Sequence, residues 1–318
     1  MGSLIGHVLP GLGFFLIGLW QLVNHIKLHA RNPKSYTSVP FFPIKKSRYG
    51  ELYFMMIGST ISILMELFVG PVKHHPFDTD GTIPTTHLHN FEHASISLTI
   101  LTYAVFAKIL DRFGRPNSKY GMTLALGVLA FWQEYILFHL HSTDHMGLEG
   151  HYHWFLQILI LVSLITTVLG IPYPKSFMIS FVRSFSIVFQ GVWYNVMGIM
   201  LWTKALMPKG CFMNLEEAHY VVRCNTQEAL DRAKALTTLE FSWYLVICIV
   251  LTMCLYLYMI KVYPEQEGYK ALSTNMESYN DQEEKGLVAA DAEARKESCN
   301  AYGLLNGIIN KISKVFKA

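Results

Sequence analysis

Histidine and glutamate are the residues with which this chain can do chemistry, and both are unevenly placed. Fourteen histidines occur, and the densest group runs through Glu134, His139, His141, His145, Glu149, His151 and His153. A second group, His87, His89 and His93, leads into a long apolar stretch. Imidazole is a borderline ligand suited to zinc, copper or iron, and it is also the side chain that changes charge near neutral pH. His89 and His93 are four residues apart, so a helix presents both rings on one face. Glu134 and His141, seven apart, share a face two turns apart. His151 and His153 are separated by one residue, which turns their rings about 200° apart on a helix. They can hold one ion together only if the helix begins after them.

Two acids stand inside otherwise apolar runs, Glu66 in Leu64-Met65-Glu66-Leu67-Phe68 and Glu134 in Glu134-Tyr135-Ile136-Leu137-Phe138. A carboxylate at the centre of a membrane span costs about 2.5–3.5 kcal/mol on insertion scales, so each is expected to face a bundle interior with a partner or a water-filled cavity. There it can ligate a metal, fix a ligating imidazole, or act as general base toward a metal-bound water. The expected ion site is therefore His93, His141 and His151 or His153, with His89 and His139 as further ligands and Glu134 or Glu66 as ligand, base or support. Zinc or another transition metal is the expected cofactor, ahead of haem, and the chemistry would be that of a membrane-embedded, lipid-hydrolase-like metalloprotein. The same residues also fit a structural or pH-sensing polar cluster in a non-enzymatic trafficking or scaffold protein, or a proton or ion pathway. No His-Glu-x-x-His motif is present, and five cysteines without a Cys-x-x-Cys pair exclude a thiolate zinc ribbon.

The elements that must position these groups follow from composition. The chain is 52% hydrophobic and only 15% charged, far below the roughly 25% charge of soluble domains. Its net charge of +3 is too small and dispersed for a nucleic-acid partner. Apolar runs long enough for a bilayer lie near Leu4 to Val23, Leu52 to Gly70, Glu92 to Leu110, Tyr120 to His141, Tyr152 to Ile171, Phe177 to Trp202 and Phe241 to Ile260. The expected fold is an all-α, polytopic seven-helix transmembrane bundle over residues 1–262, with membrane lipids as its solvent. Gly11, Gly13 and Gly18 in the first run suggest a close-packing face. Trp193, Tyr194 and Trp202 read as packing or belt aromatics, Arg183 as a snorkelling cation, and Asp111-Arg112-Phe113 as a charged helix end.

Orientation follows from basic residues in short loops. Lys27 to Arg48 carries six and no acid, and Lys108 to Lys119 carries four. Those loops are expected in the cytosol, which places the amino terminus lumenal or extracellular, the carboxyl tail cytosolic, and most histidines at the lumenal face. Cys211 and Cys224 then share the lumenal loop, where pairing and two free thiols are both open.

Several of these segments resemble the transmembrane protein 45 family: Gly6-His7-Val8-Leu9-Pro10-Gly11, Leu64 to Phe68, Glu92-His93, the Glu134 to His153 hairpin and Gln190-Gly191-Val192-Trp193. The resemblance runs over residues 1 to 260. It implies a multi-pass protein of the endomembrane system (Golgi, endosome or lysosome) or the plasma membrane, and it supplies no reaction. The basic Ser35 to Lys46 segment, the doubled His87-Leu88-His89 and the last 58 residues depart from the family pattern. Past Val262 the composition turns polar. Residues 263–300 are expected to be a disordered cytosolic linker, and residues 301–318 an amphipathic helix on the anionic cytosolic leaflet.

Overall fold

In hydrocarbon a backbone can satisfy its own amides only as a helix or a closed barrel, so long apolar runs must fold helically. The computed structural model describes residues 4–71, 74–140, 147–216 and 219–265. Seven helices among them are long and apolar enough to cross a membrane, and each coincides with one of the expected runs. They are α1 Leu4–Arg31, α2 Gly50–Leu64 with a π-helical turn Met65–Val69, α3 Leu88–Phe113, α4 Pro116–Leu140, α5 Leu148–Gly170, α6 Phe177–Trp202 and α7 Gln227–Val262. The chain is not helical throughout. An antiparallel hairpin of β1 Cys211–Glu216 and β2 His219–Cys224 precedes α7, and a Cys211–Cys224 disulfide ties its open end. Gly210, at φ 88°, makes the turn into β1 that a side-chain-bearing residue would resist.

Six helices follow one another around the bundle as α2, α3, α4, α5, α6 and α1, and α7 lies outside against α1, α5 and α6. The tightest pairing is α1 with α6. Gly11 and Gly18 on α1, seven apart, interleave with Gly191 and Gly198 on α6, also seven apart: Gly11 faces Tyr194 and Asn195, Gly18 faces Val188, Gly191 faces Phe15 and Gly198 faces His7. A Cβ on Gly18 would meet the Val188 amide nitrogen at 2.5 Å, and one on Gly191 would meet the Phe15 backbone. Gly11 and Gly18 thus form the expected close-packing face, whereas Gly13 faces open space. Between α1 and α2 contact is thin.

The loop over residues 32–49 is basic, but it is also packed. Tyr36, Ser38, Phe41 and Phe42 are buried, and Ser38 N donates to Pro174 O at 2.7 Å. Burial pushes the Tyr36 phenol above its usual range, so it meets His25 Nδ1 at 2.8 Å as a neutral hydroxyl. The loop closes one end of the bundle. Asp111, from the Asp-Arg-Phe sequence, pairs with Arg48 at 2.8 Å and Lys119 at 3.2 Å, as a charged helix end should. Expectations for residues 266–318, including the surface helix, fall outside the described residues.

Candidate functional site

Helices α2 and α3 run antiparallel and carry the same polar spacing in opposite senses. Ser59, Ser62 and Glu66 fall on one face of α2, and Asn90, His93 and Ser97 on one face of α3. The two stripes meet as a ladder. Ser62 and Ser97 hydroxyls are 2.8 Å apart, His93 Nδ1 lies 3.4 Å from Glu66 Oε1, and Asn90 Nδ2 donates to Glu66 Oε2 at 2.8 Å. Glu66 sits in the π-helical turn, a feature found disproportionately at functional sites because it re-aims a side chain within a helix. The expectation that Glu66 has a bundle-facing partner is met by His93 and Asn90.

Glu134 of α4 is 3% exposed, and it lines the same stretch of a cavity as Tyr194 of α6. Its Oε1 has no hydrogen-bond partner among the described residues. Glu66, His93, Glu134, Tyr194 and His7 all line one cavity of about 680 Å³, which extends along the bundle to Gln21, Glu51, Pro40 and Arg183 at the other end. Between these polar ends the walls are largely apolar, including Leu12, Leu16, Ile100 and Phe131. At the far end Glu51 accepts from the Phe42 amide at 2.7 Å and from Gln21.

The cavity is not sealed. Leu9, Leu12 and Leu16 of α1 and Phe54, Ile61 and Met65 of α2 line it while remaining between 36% and 55% exposed. Together with the thin α1–α2 contact, this makes a lateral opening toward whatever surrounds the helices.

The other expected ligands disperse. Helix α5 begins at Leu148, ahead of both His151 and His153, so the condition for their sharing an ion is not met. His151 Nε2 lies 3.1 Å from Thr238 Oγ1 on α7, outside the cavity. His153 is buried beside His7, ring centroids 5.9 Å apart, and its Nδ1 lies 2.8 Å from Glu149 O. The Phe138 ring stands between the histidines of α3 and α5, 6.5 Å from His93 and 5.7 Å from His153. His139 meets Gln157 Oε1 at 3.4 Å, and His89 packs beside His93 at 6.5 Å between centroids. His141 lies outside the described residues. Among the described residues no three His, Cys, Asp or Glu side chains converge as an ion would require.

Three site residues escaped the sequence reading. Glu51 begins a span, and nothing in its neighbourhood marks it as buried. Arg183 is not a snorkelling cation but 6% exposed, closed in by Ser38 and Ser180. Tyr194 is more than a belt aromatic. Apolar residues at Tyr36, Val39, Phe41 and Phe42 were the available signal that the basic loop folds inward.

The architecture is that of a multi-helix protein that fits integral membrane residence. Residues 120–257, from α4 into α7, match the model of a family described as "Family of unknown function (DUF716)". That family includes the transmembrane protein 45 proteins, so the resemblance is supported at the level of the broader family and over this stretch.

Proposed function

We propose that this protein binds a single membrane amphiphile, taken sideways from the bilayer between α1 and α2, with its polar head at the Glu66–His93 and Glu134–Tyr194 groups. The observation that carries this is the cavity of about 680 Å³, polar at its ends, apolar along its middle and open laterally. Its volume is within the roughly 300–1,000 Å³ of small-molecule sites. The protein is then a non-enzymatic lipid-handling component of an endomembrane or the plasma membrane. The histidine-rich face is lumenal or extracellular: the Cys211–Cys224 bond at that face suits an oxidising compartment, and the basic loops lie at the opposite face.

Gly58 offers the test. It lines the cavity, and a Cβ there meets nothing within 4 Å. Mass spectrometry of protein purified in mild detergent should find a co-purified lipid near one per chain, lost in Gly58→Phe, which fills the space from a helix wall that tolerates it. Equal lipid content in both forms would end the reading.

The Glu66–His93 pair favours a second reading, an acid–base step on the bound head group with Glu66 orienting the imidazole. Ester or amide lipid hydrolysis lost in His93→Ala is its check. Elemental analysis of the same preparation tests the zinc, copper or iron expectation.

A further inference from the structure

A cavity wall that leaves buried polar atoms unpaired specifies its occupant, because each such atom has lost its water without compensation until something answers it. Two side chains lining this cavity are in that position. Glu134 is 3% exposed with Oε1 unpartnered, and Arg183 is 6% exposed with Nη1 unpartnered. They sit at opposite ends. Arg183 and Tyr194, which lines the cavity with Glu134, are eleven residues apart on α6. That is three turns, so both face the same way, about 16 Å apart along the axis.

The chemistry of the two ends differs. A buried carboxyl with an unpartnered oxygen is answered by a hydroxyl, which can donate to the ionised form and accept from the acid. The guanidinium has only donors, so Nη1 requires an acceptor. Glu51 lines the same end and accepts on both oxygens, from Gln21 and from the Phe42 amide, as an ionised carboxylate does. A second anion there would be in excess of the one cation, so an uncharged carbonyl fits better than a carboxylate or phosphate. Leu124 and Thr167 border this end, and Gly170 stands where a Cβ would meet Arg183 Nη1 at 3.0 Å, leaving the guanidinium room against α5.

We propose that the cavity selects a long-chain lipid bearing a hydroxyl at one end, held by Glu134, and a neutral carbonyl near the other, held by Arg183, with the alkyl chain between. This rests on the amphiphile-binding reading and narrows it to a two-point ligand.

The probes are the methyl ester of ω-hydroxypalmitic acid, which has both groups, and hexadecanol and methyl palmitate, which have one each. Binding to the purified full-length protein is read by displacement of a fluorescent alkyl probe. The two-headed ester should bind about tenfold or more tighter than either single-headed compound, since a hydrogen bond to a charged group is worth about 1.5–3 kcal/mol. Arg183→Met should collapse its advantage over hexadecanol, and Glu134→Leu its advantage over methyl palmitate. Arg183→Lys, which keeps a donor, should retain part of the first ratio, and unchanged size-exclusion behaviour confirms folding of each variant. Equal affinity for all three compounds overturns the two-point proposal while leaving amphiphile binding in place. Failure of every compound to displace the probe overturns both.

Discussion

Glu134 concentrates the conflict between stability and function in one side chain. A buried carboxyl with an unanswered oxygen destabilises the bundle, and apolar replacements of such groups are often neutral or stabilising. The double variant Glu134→Leu with Tyr194→Phe, which removes the carboxyl without stranding the phenol, should raise stability by about 1–3 kcal/mol and lose bound lipid. Thermal unfolding in detergent together with lipid mass spectrometry reads both, and a destabilised variant that keeps its lipid contradicts the assignment. Glu66 should behave differently, because Asn90 and His93 already answer it. Glu66→Leu strands both partners and should lower stability. Residue types alone revealed Glu66, Glu134 and His93, since charge in an apolar run needs a reason. They did not reveal Arg183 or Glu51, because a charge near a span end reads as solvated until the loop that covers it is known.

At the scale of elements, the α1–α6 crossing holds the bundle together and the α1–α2 gap leaves it open. Gly18→Val would drive a side chain into the Val188 backbone, whereas Gly13→Ala meets nothing within 4 Å. The first should lower the unfolding temperature markedly. The second should leave it unchanged or raise it slightly, by the roughly 0.5–1 kcal/mol of replacing a helical glycine. Similar behaviour of the two would refute glycine-mediated packing. All seven helices were legible as apolar runs, because length and hydropathy are local properties of sequence. The hairpin before α7 was not, and it explains why α7 starts at Gln227, well ahead of the apolar run. Thr226 caps that extension by accepting from the Ala229 amide at 3.1 Å, a signal visible in Thr-x-x-Ala only once the strands are placed. The rotation of each helix was equally hidden, which is why His151 and His139 turned away from the site that His93 and Glu134 share.

For the molecule as a whole, two ends carry testable features outside the cavity. The disulfide closes a loop of sequence separation 13, for which chain entropy gives about 3 kcal/mol. Reduction, or Cys211→Ser, should lower the unfolding temperature without removing lipid, and a thiol-reactive probe added outside sealed vesicles should report the hairpin's side. The carboxyl-terminal expectation is separate. A fluorescent fusion of residues 300 to 318 should bind anionic vesicles and leave them at high salt; absence of binding at every salt concentration refutes a leaflet-bound helix.

The seam between the first two helices also fixes the scale on which affinity must be counted. A ligand that arrives through the hydrocarbon is never dilute in water, so the quantity controlling saturation is its mole fraction among neighbouring lipids. Adding inert lipid to a proteoliposome then lowers occupancy by thinning that two-dimensional reservoir, while changing the volume of buffer leaves it full.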